Sequence, residues 1–339
     1  MAGQGGTDTV SDTLLPYAVS AAKRARTVVV KVRRRVERMN TVPTLGGGVH
    51  PRALLAPVHL SVLGGRTLNV AVPFAGDRAG LAAARLELAR GSRRMSVDLT
   101  AEPWQDGGLL LTATVPLRHA GYPEGGSRGL VLDSGLWRFS VVTTDTGGRE
   151  TRSGLAAAPF GNADGPTLAN PVSRASGAVF RVVRSVDNRA MLKVSAPAHQ
   201  AELTGLDLRW DRITVHGRVI APRHPHGEYA AQIVRRGSAG GLPVRPVWDG
   251  DTFSFDVPLD AMIAGQRVQR TWEVQLQAGR TRLRLARRLT HVRHPKQVYR
   301  TPYRIVALAD GSLARVHAHL TAAGALAVAC AAFGTDEDA

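Results

Sequence analysis

The sequence predicts an all-β fold built as two tandem β-sandwich domains, and three observations predict it. The first is the stretch from Val257 to Leu289. In it Trp272, Val274 and Leu276 alternate with polar residues, a turn follows at Ala278-Gly279, and Leu283 and Leu285 alternate with Arg280, Arg282 and Arg284 on the return. That period of two is the signature of half-buried strands. The second is that the pattern stands earlier too. Val115-Pro116-Leu117 parallels Val257-Pro258-Leu259, and Gly135 to Val141 carries Trp137 where the later copy carries Trp272. A turn at Asp145 to Gly148 and a return from Arg149 to Leu155 complete the copy. The third is composition: 339 residues, 44% hydrophobic, 5% aromatic, with 36 Gly and 19 Pro, suit two cores of many short strands joined by turns.

In chain order, Met1 to Asp12 is a Gly- and Thr-rich start without regular structure. Asp12 or Thr13 can cap a helix over Leu14 to Met39, which completes segment 1–40. Val28, Val32 and Val36 form a thin apolar stripe on it, and Lys23, Arg24, Arg26, Lys31, Arg33, Arg34, Arg35 and Arg38 crowd the rest. Two readings stand side by side. The helix lies on an anionic membrane surface, with Lys23, Arg24, Arg26, Lys31, Arg33, Arg34 and Arg35 as contacts, or it packs its valines on the domains. Residues 41–57, with Gly46-Gly47-Gly48 and three prolines, read as a linker.

The first domain runs over 58–160. Its strands are Val58–Val62, Thr67–Val72, Ala83–Ala89, Met95–Thr100, Gly108–Val115, Leu136–Thr143 and Glu150–Leu155. Seven short strands with evenly spaced turns predict an immunoglobulin-like sandwich. His119 to Gly129 is a loop that the second copy lacks, and a candidate binding loop. A second linker covers 161–176. The second domain, 177–294, opens with Ala178–Val183 and Met191–Ser195 and continues through Ala201–Leu208, Ile213–Ile220, Tyr229–Arg235, Val244–Trp248, Thr252–Val257 and Thr271–Leu276 to Arg280–Leu289. The match of Ala89-Arg90-Gly91 to Arg235-Arg236-Gly237, and of Leu111 to Phe253, extends the repeat. A β extension covers 295–333 and an acidic tail 334–339.

Three groups of residues carry a family resemblance. They are Leu208-x-Trp210-Asp211-x-Ile213-Thr214-Val215-x-Gly217-Arg218, Phe253-x-Phe255-Asp256-Val257-x-Leu259 with Thr271-Trp272-x-Val274-x-Leu276, and Tyr299-Arg300-Thr301-Pro302-Tyr303 followed by Gly311-x-Leu313. They resemble the β-sandwich accessory domains of actinobacterial cell-wall polymer transferases, of the CDP-glycerol glycerophosphotransferase-like and family 2 glycosyltransferase types. The resemblance runs from Val58 to Val328 and rests on structural positions, so it carries no catalytic residue across. A catalytic α/β domain of either type has no counterpart in the chain's strand pattern. The resemblance implies an accessory part standing alone: a binding or scaffolding protein for teichoic-acid-type glycopolymer synthesis, partnered by a wall-polymer transferase. An unrecognised transferase is the alternative.

Charge agrees with an anionic partner. The net charge is +17, and of 44 basic residues all but Lys23, Lys31, Lys193 and Lys296 are arginine. A GC-rich genome explains arginine over lysine but not the excess over 27 acidic residues, which favours polyanions such as glycopolymers, sugar phosphates or anionic lipid. Specific nucleic-acid binding rests on charge alone, since no helix-turn-helix, zinc or RNP pattern occurs. Without a secretory leader or an apolar run of spanning length, the expected location is cytoplasmic, peripheral to the inner membrane face.

Site candidates are few. Arg280, Arg282 and Arg284 alternate on one strand, so their guanidiniums leave from one face and can grip successive phosphates; a solvated outer face would look the same. Trp104 and Trp248 stand beside turns and are candidate sugar-stacking platforms, whereas Trp137 and Trp272 have core periodicity. His224-Pro225-His226 and His317-Ala318-His319 are two-ligand fragments without a completing set, so no metal is expected. Asp249-Gly250-Asp251 reads as a hairpin turn, and Ser134 beside Asp133 as a turn rather than a catalytic dyad. No motif implies a cofactor. The lone Cys330, in an apolar run, reads as a small buried hydrophobe.

Overall fold

A computed structural model describes residues 41–42, 53–122, 129–157, 172–238, 240–264 and 268–333. Strands dominate, as an all-β fold requires. The N-terminal helix with its basic residues, most of the two predicted linkers, residues 123–128 of the predicted binding loop and the acidic tail lie outside the described residues.

Thirteen strands build a first unit. They are β1 (Thr41–Val42), β2 (Leu54–Leu55), β3 (His59–Leu63), β4 (Thr67–Phe74), β5 (Leu81–Arg90), β6 (Arg93–Asp98), β7 (Thr100–Pro103), β8 (Leu109–His119), β9 (Leu130–Leu132), β10 (Gly135–Asp145), β11 (Glu150–Leu155), β12 (Val179–Ser185) and β13 (Ala190–Ser195). One sheet runs β1-β12-β13-β10-β11-β2, with β5 and β6 on the other edge of β10; a second runs β3-β4-β8-β7, with β9 beside β8. Strand alternation sends Leu68, Val70, Val72 and Leu111 of one sheet inward against Leu86, Leu88, Trp137, Phe139 and Leu192 of the other, in one shared core.

The second unit holds β14 (Gln200–Leu208), β15 (Ile213–Ile220), β16 (Ala230–Arg235), β17 (Gly241–Val244), β18 (Val247–Asp249), β19 (Thr252–Asp256), a short helix α1 (Leu259–Ile263), β20 (Arg270–Ala278) and β21 (Thr281–Ala286). It closes with α2 (Pro295–Val298), β22 (Arg304–Ala307), β23 (Leu313–Leu320) and β24 (Leu326–Ala332). Its core joins Ile213, Val215 and Phe253 from β15 and β19 to Trp272, Val274, Leu276, Val316 and Val328.

The two units repeat each other in strand register. In the first, Trp137 of β10 faces Leu192 of β13, and three residues on Ser140 faces Gly154 of β11. In the second, Trp272 of β20 faces Val328 of β24, and three residues on Gln275 faces Arg284 of β21. On the opposite edge β5 and β16 pair with the same strands. The parallel pairing of Leu155 with Leu55 recurs as Leu285 with Ala201. Both tryptophans are buried, as core periodicity predicts, at 1% and 8% exposure. Trp137 donates its indole N–H to the Asp133 carbonyl at 2.9 Å, whereas the Trp272 indole nitrogen is buried with no oxygen acceptor.

Register also redraws the expected organisation. β12 and β13, expected to open the second domain, close the first unit: β13 pairs with β10, and β12 with β13. The hairpin β23–β24, expected as a separate extension over 295–333, occupies the equivalent place beside β20. The first unit's strands thus extend to β13, and the chain passes to the second unit between Ser195 and Gln200. β1 and β2 fall inside the predicted linker 41–57, where runs of two residues are too short to show a period. The ladder aligns Arg90, not Ala89, with Arg235, one residue off the sequence match. After Val-Pro-Leu the copies diverge. Leu117 to His119 stays extended beside β9, while Leu259-Asp260-Ala261-Met262-Ile263 turns into a helix that buries Leu259, Met262 and Ile263.

Candidate functional site

The outer face of the second unit's sheet, around β20 and β21, gathers the sequence's arginine candidates. In β21, Leu283 and Leu285 are buried while Arg282 and Arg284 are exposed, the alternation a half-buried strand dictates. Ala278 pairs with Thr281, which leaves Gly279 and Arg280 as a two-residue hairpin loop. Gly279 sits at φ 54°, a conformation glycine adopts without strain. Arg280 is thus exposed on the turn rather than on the strand, so two arginines share the strand face and the third stands at its tip. Across the ladder Gln277 faces Arg282, Gln275 faces Arg284, and Gln232 of β16 faces Gln275. Among the described residues Arg280, Arg282 and Arg284 have no carboxylate within ion-pair distance.

On the equivalent face of the first unit the arginines are paired internally. Glu87, at the register position of Gln232, is 6% exposed. It accepts from Arg94 at 2.6 Å and from Arg152, the counterpart of Arg282, at 2.8 Å. Glu150, the counterpart of Arg280, pairs with Arg85 at 2.8 Å.

The aromatic candidates divide differently from the sequence reading. Trp104 is half-buried, its backbone N–H held by the Gly108 carbonyl at 2.9 Å. Trp248 is half-buried against the second core, stacked on His226 at 5.1 Å and flanked by Tyr229 and Phe253. Trp210 is the exposed one, at 75%, on the turn between β14 and β15. Its flanking charges, Arg209, Asp211 and Arg212, were the available sequence signal. The structure does not bring Trp104 to the arginine face, since it follows β7, an end strand of the first unit's smaller sheet.

Both His-x-His pairs make ring contacts. His224 meets Thr281 Oγ1 at 3.2 Å and Glu228 at 3.4 Å, and His226 lies 3.1 Å from Asp251. His317 and His319 stack at 4.7 Å and 22°. Lone pairs lie in the ring planes, so near-parallel rings point their nitrogens side by side rather than at one ion. No group of three metal-ligating side chains gathers among the described residues. Asp249-Gly250-Asp251 is the hairpin turn between β18 and β19, as read.

Sequence reasoning missed a contact at Ser134. Buried His119 points Nε2 at Ser134 Oγ, 2.8 Å away, and its Nδ1 accepts the Gly121 N–H at 3.1 Å. Nδ1 is therefore the acceptor and Nε2 carries the proton, donating to the serine. A base that activates serine needs the reverse polarity. Burial holds this imidazole below its usual range, which favours the neutral ring. No helix among the described residues is long and apolar enough to cross a membrane.

No protein-family model and no curated protein matches the sequence. Among solved structures the chain is similar to S. aureus TarS 217–571, at 9% identity and a TM-score of 0.27, covering 68% of this chain and 61% of that one. It is also similar to S. aureus TarS, at 8% identity and a TM-score of 0.28, covering 69% of this chain and 39% of that one. The chain thus spans less than two thirds of either TarS chain, and at these scores nothing about binding or activity passes from one to the other.

Proposed function

We propose that this chain is a non-catalytic binding or scaffolding protein that holds an anionic glycopolymer or sugar phosphate on the arginine face of its second unit. The observation that carries the reading is the contrast at register-equivalent positions. Where the first unit has Glu87 and Glu150 the second has Gln232 and Arg280, so Arg282 and Arg284 keep their donors for an external anion. Same-face positions recur at ~6.6 Å, comparable to phosphate spacing on an extended chain, and each guanidinium can grip a phosphate with two donors. The net charge of +17 supports the same partner class through long-range attraction. The sequence resemblance to accessory domains of wall-polymer transferases favours a teichoic-acid-type polymer and a transferase partner at the inner membrane face.

The test is the affinity of the full chain for poly(glycerol phosphate) at two salt concentrations, wild type against Arg282→Ser/Arg284→Ser. The reading expects weaker binding and a shallower salt dependence in the variant. A folded variant that binds as wild type does would sink it.

A further inference from the structure

The arginine face continues into a column of rings. Along β20, Arg284 faces Gln275, and one same-face step further Ala327 faces Glu273. Arg282, Arg284, Ala327 and Ala329 thus follow one another beside β20 at ~6.6 Å per step. On the far side of β24, His319 faces Ala327 and His317 faces Ala329. Ala327 and Ala329 are themselves buried, at 0% and 4% exposure, so the flanking side chains alone define the surface there.

Tyr303 stacks on His317 at 4.3 Å and 29°, and the Arg315 guanidinium lies 4.2 Å over the Tyr303 ring. Hydrogen bonds fix the tautomers. His317 Nε2 lies 2.9 Å from the Thr301 carbonyl and His319 Nδ1 lies 3.2 Å from the His317 carbonyl, so each of these nitrogens donates. His317 Nδ1 and His319 Nε2 have no partner among the described residues. On protonation each becomes a new N–H donor.

The charged groups around the pair come from every neighbouring element. Lys296 belongs to α2, Arg236 follows β16 and is held by Glu273 of β20 at 3.4 Å, and Arg315 lies on the same strand as the histidines. Burial, helped by the charges of His317, Lys296 and Arg236 and opposed by the hydrogen bond to the His317 carbonyl, holds His319 below the usual imidazole range. A neutral ring set among cations gains most when an anion arrives, because the anion offsets both penalties. By reciprocity the proton then strengthens the anion's binding.

We propose that the Tyr303–His317–His319 column is a second phosphodiester subsite, which takes up a proton together with the phosphate and extends the grip of Arg282 and Arg284 along one chain. This rests on the arginine face being a polyanion site.

The probe is fluorescently labelled poly(glycerol phosphate), a diester whose charge is constant between about pH 5.5 and about pH 8. The full chain is compared with His317→Gln/His319→Gln, with His319→Gln alone, which keeps the His317–Thr301 bond, and with Arg282→Ser/Arg284→Ser. Wild type should bind about tenfold tighter at the acid pH. The double histidine variant should lose that ratio and keep the alkaline affinity; His319→Gln alone should lose part of the ratio, and decides the matter if the double variant melts early. The arginine variant should weaken at both pH values and keep the ratio. A wild-type ratio near one, or a ratio unchanged in folded histidine variants, overturns the subsite. An arginine variant that binds normally overturns the arginine-face reading instead, and wild type that binds at neither pH overturns both.

Discussion

The outer faces of the two units are built on one ladder and carry opposite electrostatic solutions. In the first, a nearly buried Glu87 holds Arg94 and Arg152, and Glu150 holds Arg85. In the second, the position of Glu87 is Gln232 and that of Glu150 is Arg280. The first face has its charges satisfied internally, and the second keeps cations for something outside. Equal topology therefore says nothing about equal function; the exchanges of Glu87 for Gln232, Glu150 for Arg280 and Gly154 for Arg284 separate a structural face from a candidate binding face.

The comparison needs the two frames to be equivalent, and the largest effects test that. Trp137→Ala and Trp272→Ala should each cost ~3–5 kcal/mol in chemical denaturation, because each removes the largest side chain of its core. Replacement by Phe sharpens the contrast. Trp137→Phe loses the bond to the Asp133 carbonyl and should cost about 1 kcal/mol more than Trp272→Phe, whose indole N–H has beside it only the Cys330 thiol, a weak acceptor. Equal costs for the two Phe variants would contradict the hydrogen-bond account.

Glu87→Gln rewrites the first face toward the second. It strands Arg94 and Arg152 beside a neutral amide and should destabilise by about 1–3 kcal/mol. It should also create new polyanion affinity, lost again on addition of Arg152→Ser. A Glu87→Gln variant as stable as wild type would show that the buried carboxylate does not hold that face together.

The fold was legible where period and burial agree. Trp272, Val274 and Leu276 alternate over a long strand, so their inward direction followed from sequence alone. The closing hairpins were not legible, because Met191 of β13 finds its partner in Arg138 of β10, far back along the chain, and nothing local names it. The arginine face was half legible. Alternation gave its direction, but that Arg152 meets Glu87, 65 residues away, appears only when β5 and β11 flank β10. Trp210 was not legible as the exposed tryptophan, because its spacing continues the alternation of Leu206 and Leu208 while β14 ends at Leu208.

Smaller effects concern titration. Burial holds His119 of the first unit below its usual 6.5. The unfolded chain takes that proton at higher pH than the folded one, so the contribution is full above 6.5 and falls as pH drops toward the folded value. Thermal melts should show the first unit losing stability in mild acid, and His119→Gln should flatten that dependence. Burial also pushes the Cys330 thiol in the second core up to about 11, against a lesser pull from the Trp272 indole. Its labelling by a thiol reagent near neutral pH should therefore wait on unfolding; rapid labelling of the native protein would contradict the packing of β24.

The most direct measurement exchanges the residue that separates the faces. Gln232→Glu supplies the second unit with the carboxylate that, in the first, reaches the equivalent arginine at 2.8 Å. Affinity for poly(glycerol phosphate) at low salt should fall about three- to tenfold, with no loss of thermal stability, while the neutral control Gln232→Leu binds as wild type does. If Gln232→Glu binds the polymer as tightly as wild type, or Gln232→Leu weakens it equally, the charge contrast between the two units is not what makes the second a binding face.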